Sequence, residues 1–224
     1  MLKKLLCGAT LLCAATFSLA GTITLNDTVS LQTTNFQTAL SFAKFDTMGG
    51  TRVLDSVSFS IDGSIFGTIE VESRDASATV ISTKLEAQLT LTDELMNTLV
   101  VTIPSIERIL NASAFDGTVD FGGSSGATYD DLMASQFNIE TYTDAATLAM
   151  FTGMGDADFT FDAAAASIAT GAGSITSQFN TSASGFVEVI YTYTDVVTNV
   201  SAPSHVAFLG LGILAFAGLR KVRK

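Results

Sequence analysis

Ser56-Val-Ser-Phe-Ser-Ile61 alternates strictly, with Val57, Phe59 and Ile61 on one side and serines on the other. An extended chain sends successive side chains to opposite faces. One face of this segment is apolar and the other polar, which marks a half-buried strand. The same period recurs in both directions. Thr22-Ile-Thr-Leu25 alternates, and Leu85, Ala87, Leu89 and Leu91 alternate with Glu86, Gln88 and Thr90. Leu99-Val-Val-Thr-Ile103 is a β-branched run stopped by Pro104, and Val187-Glu-Val-Ile-Tyr-Thr-Tyr193 closes the series. Asp62-Gly63, Asp116-Gly117, Gly122-Gly123 and Gly171-Ala-Gly173 read as turns between strands. Many short strands without long intervening helices predict an all-β fold, an antiparallel β-sandwich of jelly-roll or Ig-like type.

At most one short helix fits this pattern. Thr143-Asp-Ala-Ala-Thr-Leu-Ala-Met-Phe151 offers a capping residue, then alanines, then Gly153 as a stop. Ala163 to Ala166 favour helix by propensity, but the alternation of Asp158-Phe-Thr-Phe-Asp162 before them favours strand.

The two ends read differently from this body. Lys3 and Lys4 precede an uncharged run from Leu5 to Ala20, and Ser18-Leu19-Ala20 places small residues where a signal peptidase needs them. Residues 1–20 are therefore predicted to be a signal peptide, cut between Ala20 and Gly21. Cys7 and Cys13 both follow leucine, which argues against a lipoprotein signal, and both leave with the peptide. The mature chain then has no disulfide, thiolate nucleophile or cysteine metal site. A domain spanning 21–195 is long enough to bury a core without disulfides.

Charge is segregated along the chain. All 22 acidic residues lie between Asp27 and Asp195, where the only cations are Lys44, Arg52, Arg74, Lys84 and Arg108. The body thus carries a net charge of −17. That argues against nucleic acid, whose phosphates need clustered cations. It suits a solvated extracellular surface and divalent cations.

Residues 196–224 form a linker and a C-terminal signal. Val206 to Leu219 has no charged or polar side chain, and Arg220, Lys221, Arg223 and Lys224 follow it. As a transmembrane helix the run would span about 21 Å, short of the roughly 30 Å hydrocarbon core. Gly210, Gly212 and Gly218 weaken it further. Such a span serves either as a permanent anchor or as a temporary one held until a processing enzyme cuts. The cationic end is expected to stay in the cytoplasm as a stop.

Ser201-Ala-Pro-Ser204, then Phe208-Leu-Gly-Leu-Gly-Ile-Leu214, then Arg220-Lys-Val-Arg-Lys224 resembles the tripartite PEP-CTERM sorting signal. The segment Val200, Ser201, Ala202, Pro203 and Ser204 resembles a variant form, with Ser-Ala-Pro where the family's name motif has Pro-Glu-Pro. The resemblance implies transient anchoring in the inner membrane. It further implies cutting by an exosortase-type enzyme and delivery to the cell surface or the exopolysaccharide matrix. The body is similar to the choice-of-anchor E domain. Ala114 to Tyr129, Leu148 to Gly153, Val189 to Tyr193 and Lys44-Phe-Asp46 carry that similarity. It implies an extracellular β-rich domain and no reaction.

Missing residue types constrain chemistry. His205 is the only histidine and sits inside the sorting signal. A Ser-His-Asp or Cys-His arrangement and a histidine zinc site therefore cannot be built in the body. Lys44 and Lys84 leave a Ser-Lys dyad unsupported, and with 22 acids some carboxylate pair always resembles a glycosidase site. Tyr191 and Tyr193, two apart on a strand, offer a small stacking platform for sugar, or an ordinary sheet face. Asp156, Asp158 and Asp162 lie in a glycine-bounded segment, and Asp116 and Asp120 flank a turn. These acids suit calcium, although EF-hand spacing is absent. Gly122 to Gly126 lacks the lysine of a phosphate loop and reads as a turn. The reading is an exported, non-catalytic structural or adhesive protein without an obligatory cofactor. Its alternatives are a surface carbohydrate- or calcium-binding module and, third, a glycoside hydrolase.

Overall fold

The computed structural model describes residues 20–196 apart from Ala172. The predicted signal peptide before Ala20, the motif Val200 to Ser204, the apolar run and the basic cluster lie outside the described residues. Within them the chain forms β1 (Ala20–Thr33), β2 (Phe36–Ala43), β3 (Arg52–Ser73), β4 (Thr79–Asp93), β5 (Thr98–Thr102) and β6 (Ser105–Ala112). These are followed by β7 (Gly126–Tyr142), α1 (Ala145–Met150), β8 (Asp156–Ala165), β9 (Ile168–Gly171) and β10 (Ile175–Asp195). One sheet has the order β1-β10-β3-β7 and the other β2-β8-β4-β5, with β6 and β9 also pairing β4. All the pairings between strands are antiparallel. Among the described residues no helix is long and apolar enough to cross a membrane.

The alternation at Ser56–Ile61 continues along β3, whose odd-numbered residues from Val57 to Val71 are buried. β3 and β10 pair from Ser73–Ile175 to Arg52–Asp195. The predicted turn at Asp62-Gly63 is therefore overturned, since both residues lie inside β3. Gly63 is opposite Gly185 in the register. A Cβ on Gly63 would collide with Leu89 and Thr102 of the other sheet, and one on Gly185 would lie 2.7 Å from the Phe161 ring. The paired glycines make a dent that receives those side chains. Close approach of the sheets, not chain reversal, is what needs glycine here.

Strand β4 runs straight while both its neighbours break at one level. Along Thr79–Glu86 it pairs β6 and β9, and along Ala87–Asp93 it pairs β5 and β8. Pro104 makes one break, because it has no N–H to give the ladder. Ser167 makes the other. Its hydroxyl accepts from the Glu86 N–H at 3.0 Å and donates to the Glu86 carbonyl at 3.2 Å, replacing the missing ladder bonds.

The core lies between the sheets, with Phe59, Ile61, Ile65 and Ile69 of β3 facing Ile81, Leu85, Leu89 and Leu91 of β4 and Phe161 of β8. Phe59 packs on Phe151 with ring centroids 5.0 Å apart and on Phe159 at 5.7 Å. Helix α1 delivers Phe151 to this cluster. As its composition predicts, α1 is short, and the Asp144 carboxylate caps it by accepting from the Thr147 N–H at 2.9 Å. The chain after it is fixed to the β2–β3 link, with Phe45 N–H donating to the Phe151 carbonyl at 2.8 Å. Asp158 to Asp162 lie in strand β8, as their alternation predicts.

Candidate functional site

The candidate calcium residues do not converge. Asp156, Asp158 and Asp162 lie on the outer face of β8, not on a loop. Asp156 and Asp162 are six residues apart on one strand, about 20 Å at the usual rise, so the set cannot hold one ion. The side-chain amide of Gln37 across the ladder donates to Asp162 at 2.9 Å. Among the described residues no three acidic, histidine or cysteine side chains are grouped to hold a metal ion. Asp116 and Asp120 each cap their own loop with one carboxylate oxygen, accepting from the N–H groups of Thr118 and Gly122 at 3.0 Å.

The tyrosine platform is also corrected. Tyr191 is buried, and its hydroxyl donates to the Ala43 carbonyl at 3.1 Å. Burial pushes its pKa up to about 12. Tyr193 is half-buried against Phe45, with centroids 5.5 Å apart, and the Arg52 guanidinium lies 4.7 Å above its ring. A ladder irregularity between Thr192 and Tyr193 separates the pair further. Neither ring offers an open flat face to a sugar.

A cleft of about 200 Å³ opens beside α1, lined by Lys44, Asp93, Glu94, Met150, Phe151 and Asp158. Asp93 is committed to the β4–β5 turn, accepting from the N–H groups of Leu95 at 2.9 Å and Asn97 at 2.8 Å. Glu94 accepts from the Asp158 N–H at 3.2 Å. The cleft is smaller than the roughly 300 Å³ at which ligand pockets begin. Its acids have no histidine or cysteine to work with, since the described residues contain neither.

The outer face of the β1-β10-β3-β7 sheet carries the clearest unexplained feature. Met133, Phe137, Ile139 and Phe186 are 67%, 57%, 42% and 39% exposed there. The register joins them: Met133 is opposite Phe66, and Asp62 lies between Phe137 on one side and Phe186 on the other. The rows between them are filled with Ser60, Ser64, Ser135 and Ser184. Asp62 and Glu188 supply the few charges in this otherwise apolar and hydroxylated area.

Strand β7, at the sheet's edge, is tied to the opposite sheet by side chains. The Tyr142 hydroxyl donates to the Leu99 carbonyl at 2.6 Å, and the Asn138 amide donates to the Val101 carbonyl at 2.8 Å. The Thr102 hydroxyl returns a bond to the Gln136 carbonyl at 3.0 Å. Burial, with Glu140, Asp144 and Asp93 nearby, raises the Tyr142 pKa. These bonds occupy edge carbonyls that would otherwise template another strand. The sequence signals them only as polar residues at the inward positions of a strand.

No family model and no curated protein matches this chain. Among solved structures it is similar to the infectious bursal disease virus VP2 subviral particle, with 13% identity over 81% of this chain and a TM-score of 0.24. It is also similar to the structure of the infectious bursal disease virus Gx strain, with 10% identity over 82% of this chain and a TM-score of 0.22. The chain covers 38% and 37% of those two chains. At such TM-scores the likeness carries no argument about function.

Proposed function

We propose that this chain is an exported, non-catalytic protein of the cell surface or extracellular matrix, with a structural or adhesive role. The exposed apolar face around Phe137 is the observation that carries this reading. A soluble domain seldom leaves several large apolar side chains together on one sheet face unless something binds there. The surrounding serines and threonines keep the face wettable before it meets a partner. The strand order β1-β10-β3-β7 against β2-β8-β4-β5 supports a jelly-roll sandwich. The signal peptide, the variant motif Val200 to Ser204 and the basic stop support export, transient anchoring and exosortase-type processing.

Two experiments test the two parts. Met133→Ser with Phe137→Ser changes exposed side chains, so the melting temperature is expected to stay near wild type. Retention of the protein in the cell-surface and exopolysaccharide fraction is expected to fall. Unchanged retention of this variant overturns the adhesive reading. For sorting, the C-terminal peptide of released protein is read by mass spectrometry in the native organism. It is expected to end between Ser201 and Ser204, and recovery of residues 206–224 on released protein overturns the processing reading.

A further inference from the structure

Glu72 is fully buried, and neither of its carboxylate oxygens has a hydrogen-bond partner. In β3 it lies between Gly126 of β7 and Thr176 of β10. Its parity points it to the outer face of the sheet, where Thr68 and Glu70 are partly exposed. What buries it is the β6–β7 loop, folded back over the end of the sheet. The Ser73 N–H donates to the Ser125 carbonyl and the Gly126 N–H to the Gly122 carbonyl, each at 2.9 Å. The Gly126 backbone lies so close to the carboxylate that a Cβ there would overlap Glu72 Oε2, and it would lie 2.6 Å from the Gly122 nitrogen. The absence of a side chain at Gly126 therefore makes room for the Glu72 carboxylate.

A buried carboxylate is costly unless it is paired, coordinated or hydrogen-bonded. Protein cations do not serve it. The ion pairs among the described residues are Arg52 with Asp195 and Lys84 with Glu86, and Arg74, two residues away, makes none with Glu72. The covering loop is itself acidic and glycine-rich. Asp116 and Asp120 are exposed, and each commits one oxygen to a loop N–H and leaves the other open to solvent or an ion. The Asp116 side chain also lies against Gly123. Hard oxygens on a glycine-rich loop over a buried carboxylate suit a hard divalent cation, which accepts a bidentate carboxylate, carbonyls and water together.

We propose that Glu72 and the loop Asp116–Gly126 bind a divalent cation of the calcium class, which fastens the loop to the sheet. The three acidic side chains do not form a ready cage. Glu72 is the fixed ligand, and the loop closes its carbonyls and carboxylates onto the ion. This proposal is independent of the adhesive reading and of the apolar face. It also differs from a site on β8, because Asp156, Asp158 and Asp162 take no part.

The test is thermal melting of the exported protein after chelation, with calcium or magnesium added back as the chloride salt. Saturating calcium is expected to raise the melting temperature by about 5 °C or more. Magnesium at equal ionic strength is expected to do clearly less. Glu72→Gln is expected to abolish the difference, and Asp116→Asn with Asp120→Asn to reduce it by at least half. The loop pair keeps the test decisive if Glu72→Gln does not fold. Equal effects of the two ions, no effect of either, or a calcium response intact in Glu72→Gln or in the loop pair would each overturn the proposal.

Discussion

The backbone of Gly63 in β3 lies directly against the Leu89 side chain of β4, so at this point β3 adds no side chain of its own between the sheets. Its register partner Gly185 gives the same room to Phe161. Gly63→Ala therefore overpacks the middle of the core. A loss of about 1–3 kcal/mol is expected, read as a lower midpoint in chemical denaturation with an unchanged slope. Gly63→Ala with Leu89→Ala is expected to recover part of what the two single variants lose, because the contact is shared.

How much of this was visible in the sequence depends on which force acts at each position. Strands at Val57–Ile61, Leu85–Leu91 and Val187–Tyr193 were legible because burial of one face imposes period two. The helix at Ala145–Met150 was legible through its cap and its alanines. Asp62-Gly63 reads as a turn because a glycine that admits an opposing side chain and one that turns the chain look alike in one dimension. β7 was not recognised because Asp130-Asp131 interrupts its alternation, with Asp131 at φ 53° beside a ladder irregularity. The acids of β8 are close in sequence, yet a strand carries such residues apart. Nothing in the sequence marks Glu72, because only the fold brings a distant loop over it.

The bonds from β7 to β5 are expected to hold the sandwich closed along that side. Tyr142→Phe removes the donor to the Leu99 carbonyl and keeps the ring on Phe59, whose centroid is 5.8 Å away. A cost of about 1 kcal/mol is expected. Asn138→Ala leaves the Val101 carbonyl without its side-chain donor and is expected to cost a similar amount. Hydrogen exchange at β5 amides should quicken in both variants more than at β3 amides. Uniform quickening across the sheets would show that the bonds add stability without closing this edge.

Alkaline pH is expected to destabilise the fold through Tyr191. Burial raises its folded pKa to about 12, against about 10 for a free tyrosine. Below pH 10 both states hold the proton and its contribution is fully present. Between about pH 10 and 12 the unfolded chain releases the proton while the folded chain keeps it, so stability falls as pH rises. Tyr191→Phe is expected to flatten that fall, while costing about 1 kcal/mol at neutral pH for the lost bond to the Ala43 carbonyl. Denaturation midpoints measured from pH 8 to 12 check this, and parallel curves for the two proteins would contradict it.

Cleavage after Ala20 is expected to leave the sandwich intact, because β1 begins at that residue. Ala20 pairs with Thr194 and Gly21 with Tyr193, so a cut between Ala20 and Gly21 removes only the terminal pair. Gly21 has a structural reason to be glycine. A Cβ there would come within 2.9 Å of two ring carbons and the hydroxyl oxygen of Tyr193, whose ring Arg52 covers from 4.7 Å while bonding Asp195 at 3.3 Å. A cut past Ile23 would remove this packing and a residue that rests on the core. Intact-mass analysis of exported protein is expected to give a chain starting at Gly21. Gly21→Val keeps Ser18 and Ala20, so the same cut site is expected, now followed by valine. Displacing the Tyr193 ring is expected to cost about 1–3 kcal/mol, or a few degrees of melting temperature per kcal/mol. A chain starting at Met1 would refute the cleavage, and a wild-type melting temperature in Gly21→Val would refute the role of the Tyr193 contact.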